Sequence, residues 1–159
     1  MIHPSNGMSD KNTPKASSEA AQNRMLRTRQ RNTTAERKIA EGLRALGFQF
    51  ETDQRAVGTV PSRADIVFRQ AKVAVYVHGC FWHGCPKHAT WPRANAAWWR
   101  EKIMANICRD RRNRRALNKA GWSVMVIWEH VDPELAMRRV VSMLANVTMK
   151  SFSQTPANR

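Results

Sequence analysis

The stretch that decides the fold is Val73-Ala74-Val75-Tyr76-Val77-His78-Gly79-Cys80-Phe81-Trp82-His83-Gly84-Cys85-Pro86-Lys87-His88. Its first part is an apolar run rich in β-branched residues, which is typical of a buried strand. Its second part is rich in cysteine, histidine and large aromatic residues. These side chains bind metals, transfer protons and stack on flat rings. We therefore predict a strand whose end carries a functional site.

The chain is strongly basic. Its 159 residues include 27 lysines and arginines against 12 acidic residues, a formal net charge of +15. Such an excess indicates a polyanionic partner, because contacts with phosphates give salt-dependent affinity. Ribosomal and membrane-surface proteins share this charge, so the charge alone does not identify an enzyme. Combined with the motif after the strand, it points to a nuclease that acts on DNA.

Length and hydropathy indicate one cytoplasmic domain. A chain of 159 residues with 42% hydrophobic residues suits a single core. No apolar run approaches the roughly 20 residues that span a bilayer, and no secretory signal is visible, so no membrane association is expected. We predict a disordered arm over residues 1–20, one domain over residues 21–150 and a disordered tail over residues 151–159.

The spacing of apolar residues predicts an α/β fold. Helical spacing and capping signals predict helices over residues 34–46, 94–120 and 132–146. Thr33 and Glu36 match a capping box at the start of the first helix. Enrichment in Val, Ile and Phe predicts strands over residues 48–50, 64–68, 72–78 and 122–129, with a loop over residues 53–62.

The spacing of cysteine and histidine predicts a zinc site. Cys80, Cys85 and His88 lie on one loop, and a tetrahedral structural zinc needs a fourth ligand. His130, at the end of the last predicted strand, could supply it from across the sheet. The alternative is a pair of buried thiols beside a solvent-facing histidine. Cys108 lies apart from this group, and we interpret it as a buried or free thiol.

Other polar residues near the motif suit phosphodiester hydrolysis. Asp65 opens a predicted strand, where a carboxylate can hold Mg²⁺ beside a phosphate or simply accept backbone N–H groups. His78 and His83 could move a proton or serve as structural histidines. Asp110 could orient a catalytic histidine or join the ion pairs of an arginine-rich helix. The capping box is the simplest role for Glu36.

Three aromatic residues are candidates for contact with bases. Phe81, Trp82 and Trp99 lie in polar, basic stretches of the chain. Apolar side chains can wedge between base steps and distort a duplex. The alternative is packing in the core, which we expect for one of the three.

These motifs together resemble the Vsr-type very short patch repair endonucleases, which nick DNA beside a T:G mismatch. The resemblance covers about residues 22–132. It rests on the ordered succession His78-Gly79-Cys80-Phe81-Trp82-His83, Trp99-Arg100-Glu101-Lys102-Ile103, Arg109-Asp110-Arg111-Arg112, Gly121-Trp122 and Trp128-Glu129. It implies an α/β fold with a restriction-endonuclease-like core, a mixed β-sheet flanked by helices and a structural zinc site. It also implies hydrolysis of one phosphodiester 5′ to the mismatched thymine.

The resemblance implies a catalytic role for five residues. Asp65 matches an aspartate that binds Mg²⁺, His83 the histidine that activates the attacking water, and Asp110 the partner acid of that histidine. His78 matches a second active-site histidine near the scissile phosphate. Glu36 matches an active-site glutamate on the first helix.

The resemblance also implies contacts with DNA and with zinc. Phe81, Trp82 and Trp99 match aromatic residues that enter the duplex from the major groove, and Met25 matches a residue that inserts from the minor-groove side. The structural zinc ligands correspond to Cys80, Cys85, His88 and His130.

The chain departs from the well-known member of this family at two points. Val77 replaces a threonine before the active-site histidine. Its backbone carbonyl could still bind Mg²⁺, but a role for the hydroxyl would be lost. Two cysteines and two histidines replace three cysteines and one histidine, and zinc accepts both sets.

The resemblance implies a bacterial, nucleoid-associated monomer that binds double-stranded DNA with a T:G mismatch. Mismatch-repair proteins and a cognate cytosine methyltransferase are possible partners. One alternative is a related sequence-specific nickase or restriction-associated endonuclease. The other is a zinc-stabilised DNA-binding module without catalysis.

Overall fold

A four-stranded sheet in the order β1-β2-β3-β4 forms the centre of the computed structural model, which describes residues 33–153. The elements in chain order are α1 (Thr34–Ala45), β1 (Glu51–Gln54), β2 (Ala64–Phe68), β3 (Val73–His78), α2 (Ala96–Lys119), β4 (Ser123–Trp128) and α3 (Pro133–Ser153). Strands β1, β2 and β3 pair antiparallel, whereas β3 and β4 pair parallel across the long connection that contains α2. The expected mixed sheet flanked by helices is confirmed.

The two faces of β3 pack against different parts of the chain. Val73, Val75 and Val77 lie in a core formed with α1 and α3. Ala74 lies in a second core on the opposite face, which includes Leu117 of α2. Successive residues of a strand point to opposite faces, so burial on both sides requires a nearly continuous apolar run. This explains why the sequence of β3 lacks the usual alternation of apolar and polar residues.

The capping box predicted for α1 is present. The N–H of Glu36 donates to Oγ1 of Thr33 at 3.3 Å, and the Thr33 hydroxyl donates to Oε1 of Glu36 at 3.0 Å. The second bond differs from the usual capping box, in which the glutamate accepts the backbone N–H of the capping residue. Gly47, with φ of 84°, follows the helix in the left-handed conformation that glycine tolerates best.

The prediction for the first strand was wrong. No strand forms at residues 48–50, and β1 occupies Glu51–Gln54, partly within the loop expected over residues 53–62. Phe48 and Phe50 instead pack against Phe68, with ring centroids 6.3 and 5.4 Å apart. Hydrophobic side chains therefore marked the residues that anchor the chain to the core. The strand itself is an edge strand with exposed side chains, which hydrophobicity does not reveal.

The last helix is longer than predicted. Asp132 caps it as expected, because its Oδ1 accepts the N–H groups of Glu134 and Leu135 at 3.0 and 3.2 Å. The helix continues to Ser153 rather than ending near Asn146, and it includes the first residues of the expected tail. Neither glycine nor proline interrupts residues 147–153, so no local signal ends the helix earlier.

The remaining boundaries agree closely with the predictions. The strand over residues 64–68 is confirmed, and the other two strands and α2 are shorter by one or two residues at an end. No helix within residues 33–153 is long and apolar enough to cross a membrane. The arm expected over residues 1–20, together with Met25, lies outside the described residues.

Candidate active site

Three polar side chains occupy one face of the sheet, the face that α2 covers. The register Ile66↔Val75 places Asp65 opposite Tyr76, and residues opposite each other in an antiparallel pair share a face. His78 lies two residues beyond Tyr76 and therefore points to the same side. The side chains thus form a row along the ends of β2 and β3.

Asp65 is a partly buried carboxylate at the start of this row. Its Oδ2 accepts the backbone N–H of Val77 at 2.6 Å. Burial raises the pKa of Asp65 to about 7, the N–H of Val77 acts against this rise, and the negative charges of Glu36 and Asp53 add to it. A positive charge beside such a carboxylate would favour its ionised form. Asp65 could therefore hold a divalent cation.

His83 and Asp110 form a short hydrogen bond between the loop after β3 and helix α2. The distance from Nδ1 of His83 to Oδ2 of Asp110 is 2.6 Å, and Oδ1 of Asp110 accepts from Nη2 of Arg109 at 3.1 Å. Burial acts to raise the pKa of Asp110, but the bond from His83 and the charges of His83 and Arg109 outweigh it and hold the pKa below its ordinary value. The contact directs Nδ1 of His83 toward the carboxylate and leaves Nε2 available.

His78 stacks on His83 and is enclosed by aromatic rings. The two imidazole centroids are 4.0 Å apart with 17° between their planes. Tyr76 and Trp128 contact His78 edge-on, at 6.2 and 5.6 Å between centroids. Burial, together with the nearby His83, lowers the pKa of His78 to about 4. His78 is therefore neutral at pH 7 and can donate or accept a hydrogen bond without carrying charge.

A second cluster joins the same loop to the residue His130, which follows β4. Sγ of Cys80 is 3.1 Å from Nδ1 of His130, and Sγ of Cys85 is 3.8 Å from that nitrogen and 3.9 Å from Nδ1 of His88. Ligand atoms of all four residues lie within 4.8 Å of one another. A tetrahedral zinc with bonds of about 2.0–2.3 Å has ligand–ligand distances of about 3.3–3.8 Å. The four residues could therefore hold one metal ion.

The two thiols of this cluster differ in their readiness to ionise. Burial acts to raise the pKa of Cys85, but the N–H groups of Lys87 and His88 outweigh it and lower that pKa. Burial and the adjacent Cys85 raise the pKa of Cys80 to about 12. Two sulfurs so close together do not both ionise unless a cation lies between them. Cys108 is an exposed free thiol and lies outside the cluster.

Two further residues, Glu129 and Asn106, hold the loop in place, and no sequence pattern predicts this role. Oε1 of Glu129 accepts the backbone N–H of Cys80 at 2.6 Å. Nδ2 of Asn106, on α2, donates to the carbonyl of Trp82 at 3.1 Å. The motif Trp128-Glu129 and the sequence of α2 contained these residues, but no spacing rule indicates a side chain that bonds to a distant backbone group.

Phe81, Trp82 and Trp99 form one aromatic cluster, with ring centroids 5.0–6.0 Å apart. Trp99 is only 7% exposed and packs in the interior, as expected for one of the three. The other two are partly buried. The indole N–H of Trp82 is buried and has no hydrogen-bond partner among the described residues.

The structure thus brings most of the predicted site residues together at one end of the sheet. His78, His83 and Asp110 are in mutual contact range, with Asp65 beside them. Glu36 is near enough to influence the pKa of Asp65, although its side chain also serves the cap of α1.

Comparison with known proteins identifies the family of this chain. Residues 9–89 match the family model described as DNA mismatch endonuclease Vsr. The Type II nicking enzyme V.NaeI of Lentzea aerocolonigenes is 38% identical over 122 residues, which are 76% of this chain and 74% of the relative. The Type II nicking enzyme V.XorIIP of Xanthomonas oryzae is 34% identical over 74% of this chain and 85% of the relative.

A third relative is the DNA mismatch endonuclease Vsr of Escherichia coli, which is 33% identical over 103 residues, 62% of each chain. The family model covers the strand β3 and the loop residues Cys80, His83, Cys85 and His88, but neither Asp110 nor His130. The resemblance inferred from the motifs is confirmed: the chain belongs to the Vsr family of DNA mismatch endonucleases, whose members are DNA-cleaving hydrolases.

Proposed function

We propose that this protein nicks double-stranded DNA 5′ to the thymine of a T:G mismatch, as a monomer. The observation that carries the proposal is the 2.6 Å hydrogen bond between His83 and Asp110, beside the stacked ring of His78. An imidazole fixed through Nδ1 by a carboxylate is the arrangement that prepares Nε2 to accept a proton from water.

His83 is the general base in this proposal. Asp110 accepts the Nδ1 proton, keeps Nε2 unprotonated and stabilises the imidazolium that forms when Nε2 takes a proton from the attacking water. Arg109 shares the Asp110 carboxylate and helps to hold it ionised. His78, neutral at pH 7, is placed to donate a hydrogen bond near the reacting phosphate.

Asp65 is the proposed Mg²⁺ ligand, together with the backbone carbonyl of Val77 and with Glu36 nearby. The fit rests on the carboxylate itself, which is partly buried and has a raised pKa, so a cation beside it would favour the ionised form. When bound, Mg²⁺ supplies positive charge that stabilises the scissile phosphate and the leaving oxygen. Asp65 and Val77 would fix its position at the ends of β2 and β3.

Zinc is the proposed occupant of the second cluster, with Cys80, Cys85, His88 and His130 as ligands. Two sulfurs and two imidazole nitrogens are a common ligand set for structural zinc, and four protein ligands leave no open position for catalysis. The loop over residues 79–92 has few buried apolar side chains, so such an ion would stabilise its fold and the position of His83.

Phe81 and Trp82 are proposed to enter the duplex at the mismatch, with Trp99 beneath them. A T:G pair stacks less well than its neighbours, so separating the bases there costs less. The partly buried rings could recover that cost by stacking, worth about 1–3 kcal/mol per base. Met25 keeps its proposed role on the minor-groove side, and the arginines of α2 would contact the backbone.

A second candidate function is nicking at a defined sequence without a mismatch. The two relatives named as Type II nicking enzymes share more sequence with this chain than the E. coli mismatch endonuclease does. The deciding experiment measures single-turnover nicking of duplexes that differ at one position, T:G against T:A and C:G, in several flanking sequences. Preference for T:G supports the proposal, equal rates on all three support the sequence-specific nickase, and binding without cleavage supports a non-catalytic module.

A further inference from the structure

The hydroxyl groups of Ser62 and Tyr76 form a pair at the candidate active site that has no assigned role. Oγ of Ser62 and Oη of Tyr76 are 2.9 Å apart, and both residues are partly buried. Ser62 comes from the loop before β2, three residues from Asp65, whereas Tyr76 lies in β3, two residues before His78. The pair therefore joins the two chain segments that position the site.

Tyr76 lies between the two site carboxylates. The strand register places it opposite Asp65, and its ring contacts the edge of His78. Burial raises the pKa of Tyr76, the bond with Ser62 acts against this rise, and the charges of both Asp65 and Asp110 add to it. The phenol hydroxyl is thus within electrostatic range of both carboxylates but bonded to neither.

The pair has one O–H donor more than its own hydrogen bond uses. Each hydroxyl carries one donor, and a single bond between them consumes one of the two. Within residues 33–153, neither hydroxyl has another hydrogen-bond partner. One O–H group is therefore available to a further acceptor on this face of the sheet.

A phosphodiester at this site would be stabilised by such a donor. It carries a negative charge and would lie beside the carboxylates of Asp65 and Asp110, which repel it. Arg109, a nearby cation, already binds Asp110 at 3.1 Å. Neutral donors next to the phosphate oxygens would offset part of the repulsion, since hydrogen bonds to charged groups are the stronger ones.

We infer that the free O–H group of the Ser62–Tyr76 pair donates a hydrogen bond to a non-bridging oxygen of the scissile phosphate. Tyr76 and Ser62 are then substrate-binding residues, with phosphate as the ligand they recognise. The inference rests on the proposed function, because it places the phosphate between Asp65 and His83.

The test uses Tyr76→Phe, which keeps the ring against His78 and removes only the hydroxyl. Nicking is measured in single turnover on an oxygen duplex and on the two phosphorothioate diastereomers at the nicked phosphate, because sulfur accepts hydrogen bonds poorly. Tyr76→Phe is expected to lower the nicking rate of the oxygen duplex roughly tenfold or more. It should lower the nicking rate of one phosphorothioate diastereomer much less, because sulfur has already weakened the hydrogen bond to that phosphate position.

An equal loss on all three duplexes would indicate a purely structural role and overturn the inference, as would wild-type rates on all three. Ser62→Ala is the second variant and should show the same diastereomer preference with a smaller loss; it decides the matter if Tyr76→Phe does not fold. Thr148→Val, which removes a hydroxyl bonded within α3, is the control and should nick at the wild-type rate.

A separate arm distinguishes this inference from the proposed function. Equilibrium binding of the same duplexes is measured with Ca²⁺ in place of Mg²⁺, so that the phosphate contact is tested without hydrolysis. If no duplex is nicked, the phosphorothioate is placed at the phosphate 5′ to the mismatched thymine. If Asp65→Ala nicks at full rate, the proposed mechanism fails. If Asp65→Ala is inactive but Tyr76→Phe loses neither affinity nor rate, only the inference about the hydroxyl pair fails.

Discussion

Asp65 bonds to the backbone of the neighbouring strand through Val77, whose N–H lies 2.6 Å from its Oδ2. The side chain thus replaces a backbone acceptor at the point where β2 and β3 begin to separate. One carboxylate oxygen of Asp65 is used for this bond. This carboxyl group is partly buried and has a pKa of about 7, so the free energy required to bury it increases as it ionises with rising pH.

Without Mg²⁺, the free energy of unfolding of the protein should decrease as pH rises through 7. The pKa of Asp65 is about 7 in the folded state and near 3.8 in the unfolded state, so its stabilising contribution is complete below about pH 4 and is lost above pH 7. Between pH 6.5 and 8.5 the expected loss is about 1 kcal/mol. His78 scarcely titrates in this window, because its folded pKa is about 4.

Asp65→Asn should remove this slope, and the variant should be the more stable protein at pH 8.5. Denaturant unfolding without added Mg²⁺, at pH 6.5 and 8.5, measures both effects. Addition of Mg²⁺ should stabilise the wild type and leave Asp65→Asn unchanged. The same slope in both proteins would contradict the assignment of a raised pKa to this residue.

Asp110→Asn should lower the nicking rate by roughly 10²–10⁴-fold with little change in DNA affinity. An amide cannot favour the Nδ1-protonated form of His83 or stabilise its imidazolium. His83→Ala should be at least as severe. Single-turnover rates and binding in Ca²⁺ separate the two quantities. Arg111→Gln, on the same helix but without a bond to Asp110, is a matched control that should alter affinity and its salt dependence more than the rate.

Cys80→Ser and Cys85→Ser should each lose bound zinc and lower the free energy of unfolding by roughly 3 kcal/mol or more. Cys108→Ser should keep one zinc per chain, because its exposed sulfur lies outside the cluster. Metal analysis of purified variants, followed by thermal unfolding, gives both results. Zinc loss in Cys108→Ser with retention in His130→Ala would show that the ligand assignment is wrong.

Gly84→Ala should impair both zinc retention and nicking. Gly84 has φ of 62°, and an added Cβ would lie 2.7 Å from Cδ1 of Ile107. The substitution would therefore strain the backbone between His83 and Cys85 and push the loop away from α2. Gly58→Ala is the control, since nothing lies within 4 Å of its added Cβ. Equal zinc content and rates in both variants would contradict this prediction.

Trp82→Ala should reduce the preference for a T:G duplex more than it reduces general DNA affinity. The residue contributes ring surface rather than charge, so the salt dependence of binding should remain. Competition binding with T:G and C:G duplexes at two salt concentrations measures both properties. A uniform loss of affinity for both duplexes would favour a structural role for the aromatic cluster.

The central strands could be predicted from the sequence because local patterns determine them, and so could the proximity of the loop residues Cys80, Cys85 and His88. β3 is recognisable from its apolar run, and the candidate metal-binding residues of the loop from their spacing. β1 was misplaced because its strand character comes from pairing with β2, whereas Phe48 and Phe50 only anchor the chain. Pairings between distant residues, such as Ser62 with Tyr76 or Glu129 with Cys80, leave no periodic signal.

The end of β3 and the loop that follows it supply residues to two separate clusters. His78 and His83 lie with Asp110, whereas Cys80 and Cys85 lie with His88 and His130, so two pairs with the same five-residue spacing are interleaved. Insertion or deletion of one residue between Cys80 and His83 would change the spacing of both pairs at once. For protein engineering this segment is therefore indivisible: it can be transferred to another scaffold only as a whole and at its original length.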